Sequence, residues 1–116
     1  MERTVKIDGK EMRMVANAKV PRTYRKTFNR DMLLDMESLI KGYNDKVVNG
    51  TNIPPQILTI FENIAWVFLK EGGEQVGANP DEWLDTIDGM FSIYEVLPQI
   101  VELWSESNKT TSTPSR

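Results

Sequence analysis

The run Pro55-Gln56-Ile57-Leu58-Thr59-Ile60-Phe61-Glu62-Asn63-Ile64-Ala65-Trp66-Val67-Phe68-Leu69-Lys70-Glu71 decides the fold. At about 100° per residue, Ile57, Ile60, Phe61, Ile64, Val67 and Phe68 fall on one broad face, which makes 55–71 the central core helix. Gly72-Gly73 ends it. Trp66 lies nearly opposite that face, beside Thr59, Glu62, Asn63 and Lys70. Either the hairpin or another helix covers it or it is an exposed aromatic anchor, since Trp is enriched where partners bind. It is a candidate partner-binding residue.

Upstream of this helix the pattern changes period. Thr4-Val5-Lys6-Ile7 and Glu11-Met12-Arg13-Met14-Val15 alternate around Asp8-Gly9-Lys10, so 4–15 is a β-hairpin with Val5, Ile7, Met12 and Met14 on one face. Two strands alone are marginal, so that face must pack on the helices. Pro21 suits a first helical position and Tyr24 with Phe28 forms a core pair, giving a short helix over 21–28. Asn29 can end it in the left-handed conformation, and Asp31 can cap a second helix over 31–43 carrying Met32, Leu33, Met36, Leu39, Ile40 and Tyr43. The stretch 45–52 contains Asn-Gly and little periodicity and reads as a loop.

Downstream, Asn79-Pro80-Asp81-Glu82 is a strong start signal for a helix over 80–88, with Trp83, Leu84 and Ile87 inward. Ser92 and Glu95 offer a second capping box for a helix over 92–105. That helix carries two apolar lines: Phe91, Tyr94, Leu97, Val101 and Trp104 make one, and Ile93, Val96, Ile100 and Leu103 make the other. A helix apolar on two faces is central in the fold or shared with another chain. Pro98 should kink it, at a cost of roughly 3 kcal/mol. Residues 105–116 hold four Ser, three Thr and no apolar side chain and read as a disordered polar tail. The expectation is α+β, mostly α: one domain over 1–104, with the N-terminal hairpin packed on a bundle of about five helices.

Composition narrows the chemistry. The 116 residues contain neither Cys nor His, which removes thiol nucleophiles, disulfides, imidazole triads and zinc-finger ligation. Asp81, Asp85 and Asp88 share one side of their helix and could hold a divalent cation, but acids near a helix N-terminus are more often a solvated face favoured by the dipole. No enzymatic activity, cofactor or metal is expected. No stretch approaches the roughly 18 apolar residues of a membrane span, and MERTVKIDGKEMRM lacks an apolar signal core, so a cytoplasmic location is expected. The net charge of −3 conceals a split: residues 1–30 hold nine basic and three acidic side chains, the remainder five and fourteen. The basic segment pairs with the acidic body, in the same chain or the next subunit, or it binds nucleic acid through 19–30. The first is favoured, because Tyr24 and Phe28 are spaced for a core and not for stacking on bases. Arg22, Arg25 and Lys26 point away from that pair and join Trp66, Tyr94 and Trp104 as candidate contacts with a partner.

Several strings together resemble the tail assembly chaperones of long-tailed bacteriophages and prophages of Gram-positive hosts. They are VKIDGKEMRM, VPRTYRKTFNRDMLLDM, FENIAWVF, PDEWLDTIDGMFSIYEVLPQIVELW and a terminal TSTPSR. Asn29 stands where relatives often have Gly after the Phe of the first helix. The resemblance implies a protein of the host cytoplasm that binds the tape measure protein, keeps it soluble while tube subunits polymerise, and is absent from the finished virion. It also implies self-association, and contact with the major tail protein through a longer, frameshifted form. Nucleic-acid or membrane partners are not expected on this reading; a small nucleic-acid-binding regulator is the alternative.

Overall fold

The computed structural model describes the backbone of residues 1–112 and side chains as far as Asn108. It is an α+β fold, mostly helical: an antiparallel hairpin, β1 (Glu2–Ile7) and β2 (Lys10–Val15), is followed by α1 (Lys19–Phe28), α2 (Met32–Asn49), α3 (Pro55–Glu71), α4 (Pro80–Leu84) and α5 (Ile93–Ser112). Both turn residues of the hairpin, Asp8 and Gly9, have positive φ, as a tight two-residue connection demands. The register pairs Val5 with Met12 and Arg3 with Met14. Val5, Ile7 and Met14 are thereby buried together, with Met12 at the margin.

α3 is the axis of the molecule, and β2 and all four other helices pack on it. It keeps the boundaries read from the sequence, and its C-terminal turn shows why. The Gly73 amide donates to the Lys70 carbonyl and the Glu74 amide to the Leu69 carbonyl, a Schellman closure with Gly73 at φ 86°. Gly72 serves a different need. A Cβ there would lie 2.1 Å from the Arg13 carbonyl oxygen, so only glycine lets β2 dock on the end of α3. The Arg13 amide donates to the Glu74 carboxylate, its guanidinium to the Gly72 carbonyl, and Asn17 to Glu71.

α1 and α2 are joined by a buried polar group. Tyr24 donates its hydroxyl to the Asp35 carboxylate at 2.6 Å, and Arg30 donates to both carboxylate oxygens at 2.7 Å. Burial alone would raise the Asp35 carboxyl, but the hydrogen bonds from Arg30 and Tyr24 outweigh it and hold the carboxyl below its ordinary value of 3.8. Burial, reinforced by the adjacent carboxylate, pushes the Tyr24 hydroxyl well above its ordinary value, so it stays a donor.

Four boundaries differ from the sequence expectation, each for a local reason. α1 begins at Lys19, so Pro21 sits at its third position; Asn17 Oδ1 accepts the Lys19 amide before it. α2 continues six residues past Tyr43 to Asn49, through the stretch expected to be a loop. Lys41 and Asp45 pair across a turn, and Gly50, in the left-handed region, closes the helix onto the Lys46 carbonyl. α4 stops at Leu84 instead of 88. Thr86 and Ile87 fold back onto the carbonyls of Trp83 and Leu84 in tight turns, and the Asp8 carboxylate at the hairpin tip takes the amides of Asp88 and Gly89. α5 passes Pro98 and continues to Ser112, so 105–112 is helical where a disordered tail was expected; once a helix is nucleated, each added residue needs little help. The rest of that expected tail, residues 113–116, lies outside the described residues.

Two measurements test these packing arguments. In denaturant melts, Gly72→Ala should lose about 2 kcal/mol or more through the clash with β2, and Gly73→Ala about 1 kcal/mol from backbone strain alone, since nothing crowds its Cβ position. For Asp35, the lowered folded pKa means that its contribution is present above the unfolded value and is lost as pH falls through the folded one. Asp35→Asn should therefore cost about 2 kcal/mol at neutral pH, and the gap to the parent protein should narrow as the pH is lowered below about 4.

Candidate partner-binding surface

The two apolar lines of α5 have different fates. Ile93, Val96, Ile100 and Leu103 are buried against α3 and β1. Of the second line only Leu97 is fully buried; Phe91, Val101 and Trp104 are partly covered and Tyr94 is 52% exposed. Phe91 is held inside by stacking on Phe61 at 4.8 Å and by the edge of Trp83. What remains outward is a stripe of Tyr94, Val101 and Trp104.

α2 presents a matching stripe. Leu33, 55% exposed, and Val47, 61% exposed, lie on either side of the partly buried Ile40. The three are spaced seven residues apart, so they follow one line along the helix. The sequence reading groups Leu33 with Met32 and Met36 in the core. Met32 and Met36 are buried, but Leu33 lies about 100° round the helix from Met32, beyond the edge that α3 covers. The seven-residue spacing of Leu33, Ile40 and Val47 is a legible signal of this second face.

The stripes approach each other at two places. Tyr43 and Tyr94 meet with ring centroids 6.0 Å apart. About ten residues away along each helix, Leu33 and Trp104 line one hollow of about 190 Å³, together with Val20, Pro21 and Phe68. α2 and α5 therefore run antiparallel along this side. A second hollow, of about 360 Å³, shares Pro21 and Leu33 with the first and continues past Arg25, Asn29, Arg30 and Asp31. The Asp31 carboxylate is occupied by the amides of Leu33 and Leu34.

The candidate residues thus separate. Trp104 lines the first hollow and Arg25 the second, the two sharing Pro21 and Leu33, and Tyr94 marks the far end of the seam. Arg22, Arg25 and Lys26 are exposed on α1, and none of these side chains is in an ion pair among the described residues. Arg25 and Lys26 also stand in the last turn of α1, where the helix dipole favours cations. Trp66 does not belong to this surface. It is 1% exposed, donates its indole N–H to the Val76 carbonyl at 3.0 Å, meets the ring of Phe28 edge-on and lies beneath the Lys70 ammonium. The loop after α3 and the end of α1 cover it, so it is a core residue and not an anchor.

The basic segment and the acidic body do meet within the chain. Arg3 pairs with Glu102, Lys19 with Glu71 and Arg30 with Asp35. Tyr24 and Phe28 face each other at 4.9 Å inside the fold, so neither offers a ring to a base. Asp81, Asp85 and Asp88 do not converge: among the described residues no group of three or more acidic side chains is placed to hold a metal ion. Asp81 instead lies near Glu62, whose carboxyl is raised by burial and, secondarily, by that like charge. Among the described residues no helix is long and apolar enough to cross a membrane. No protein-family model matches the chain, and neither the curated proteins nor the solved structures give a significant match.

The division between core and surface aromatic residues has a direct check. Trp66→Ala should destabilise the fold by about 3–5 kcal/mol in a denaturant melt. Tyr94→Ala, at a half-exposed position, should cost less than about 1 kcal/mol.

Proposed function

We propose that this protein is a tail assembly chaperone of a long-tailed bacteriophage or prophage, a non-enzymatic protein that binds apolar segments of the tape measure protein and keeps them soluble. The observation that carries the reading is the paired apolar stripe on α2 and α5, which leaves Leu33, Val47 and Tyr94 more than half exposed. Contiguous exposed apolar surface in a small protein marks a place where another protein binds. The identity of the partner rests on the resemblance of the hairpin, the FENIAWVF segment and the last helices to that chaperone family.

On this reading the chain works in the host cytoplasm without a cofactor, leaves as tube subunits assemble, and reaches the major tail protein through a longer, frameshifted form. Val48 and Leu34, exposed elsewhere on α2, supply apolar area for self-association. The absence of His and Cys suits a protein that holds and releases without chemistry. A nucleic-acid-binding regulator has one observation in its favour, the three unpaired cations of α1, but lacks rings placed for stacking beside them.

Co-expression tests the proposal. Produced together with the tape measure protein of such a phage, this chain should raise that protein's soluble fraction and co-purify with it as a complex that persists at moderate salt. A tape measure protein that stays insoluble with no isolable complex would sink the reading. Salt-sensitive binding to duplex DNA would favour the regulator instead.

A further inference from the structure

The open depression between α1, α2 and α5 has a definite chemical character, and it narrows what can sit there. It is lined by Pro21 at the start of α1, the exposed Leu33 in the first turn of α2 and the partly buried Trp104 late in α5, over a floor of the buried Val20 and Phe68. Arg25 lines the adjoining hollow, which shares Pro21 and Leu33 with it, and Arg22 and Lys26 stand exposed next to Arg25 on α1. We infer that this seam receives an amphipathic helix of about three turns whose edge facing α1 is acidic. The inference deepens the proposed function: it rests on the chain holding a segment of a partner protein and states what kind of segment that is.

Three observations converge on it. The first is periodicity. Leu33 and Ile40 stand seven residues apart on α2, as Tyr94 and Val101 do on α5, and Val47 continues the α2 line beyond the contact of Tyr43 with Tyr94. Stripes of that period run nearly parallel to the helix axis and suit a third helix laid along them. A peptide strand would need an open sheet edge, which this side of the molecule does not present. The second is length. From Leu33 to Tyr43 is ten residues of α2, a span of about 15 Å, the length of about three helical turns. At the far end the contact between Tyr43 and Tyr94 marks the limit of the open part.

The third is charge. The cations at Arg22, Arg25 and Lys26 follow i, i+3, i+4 spacing and so form one exposed ridge. In contrast to Arg3, Lys19 and Arg30, they find no carboxylate among the described residues. The one carboxylate lining these hollows, Asp31, is engaged in capping α2. An occupant with acidic residues on that edge supplies the missing partners, and one with lysines there meets repulsion, which gives specificity more than raw affinity. A polynucleotide would also satisfy the ridge, but it would leave the exposed Leu33 and the partly buried Trp104 facing a polar backbone.

Fluorescence anisotropy on the full chain decides between these occupants. The probes are two labelled helical peptides of equal length with leucines in heptad spacing, one flanked by glutamates and the other by lysines, and a single-stranded oligonucleotide. The glutamate-flanked peptide should bind at least about tenfold more tightly than the lysine-flanked one, and Leu33→Glu should weaken it by a similar factor. Leu33 is exposed in the first turn of α2, where a carboxylate suits the dipole, so this variant should keep its fold, as a thermal melt would show. Reversing the ridge with Arg22→Glu, Arg25→Glu and Lys26→Glu together should invert the preference between the peptides, an outcome that damage to the fold could not produce. Equal affinity for both peptides, binding of neither at millimolar concentration, or a preference for the oligonucleotide would overturn the inference. The co-expressed complex separates the two levels: if it forms and Leu33→Glu leaves it intact, the seam is wrong and the chaperone reading stands. If no complex forms while the acidic peptide still binds, the seam stands and the identity of the partner is wrong.

Discussion

A single helix that is buried on every side over residues 64–69 constrains everything else in this molecule. α3 buries Ile57, Ile60, Phe61, Ile64, Ala65, Trp66, Val67, Phe68 and Leu69, so no one neighbour can cover it. Its faces are divided among β2, α1, α2, α4 and α5, each of which packs directly on it. Covering Trp66 is the most demanding part, because its indole N–H cannot be buried without an acceptor. The Val76 carbonyl provides one, and it is in place because the Schellman turn at Gly73 sends the chain back over the helix. The end of α3 and the burial of Trp66 are therefore one event.

The hairpin is held to that axis at both ends. Near α3, the bare Gly72 backbone allows contact with the Arg13 carbonyl, and the Arg13 amide and guanidinium bind in return. At the other end, the left-handed Asp8 of the turn projects its carboxylate onto the amides of Asp88 and Gly89. One acidic side chain thus shapes the hairpin turn, ends the helical stretch after α4, and sets where α5 begins. That placement turns Ile93, Val96, Ile100 and Leu103 inward and leaves Tyr94 and Trp104 on the outside.

The parts of the fold governed by local chemistry are legible in the sequence. The Asp-Gly turn, Asn29 as a left-handed stop, Asp31 as a cap and the limits of the central helix depend on neighbours within a few residues. The parts that escape a sequence reading depend on distant ones. The helix after Pro80 looks continuous to Asp88 until Asp8, some eighty positions earlier, captures the amides that would have extended it. Trp66 looks exposed on a helical wheel because a wheel carries no information about a loop that folds back from Gly73. Leu33 is the converse: proximity to Met32 suggests a core stripe, although its spacing to Ile40 and Val47 already marks a second face. For the candidate surface, Tyr94, Trp104 and the α1 cations stand in the sequence as separate, unconnected candidates. Only the packing of α1, α2 and α5 around α3 places Trp104 beside Pro21 and Leu33.

The charge split acquires a physical division of labour. Some cations of the first thirty residues are structural: Arg3 emerges from the core face of β1, opposite Met14, and reaches Glu102 on α5, while Lys19 and Arg30 meet Glu71 and Asp35. These contacts tie the hairpin and α1 to the acidic body. Exposed pairs such as Lys19 with Glu71 contribute little to stability, whereas the Arg30 bond to a buried carboxylate fixes how α1 meets α2. Arg22, Arg25 and Lys26 are not used in this way, although carboxylates are abundant elsewhere in the chain. A basic ridge that the fold leaves uncompensated, beside an apolar seam that it leaves uncovered, is a surface whose partner must bring both an apolar stripe and negative charge.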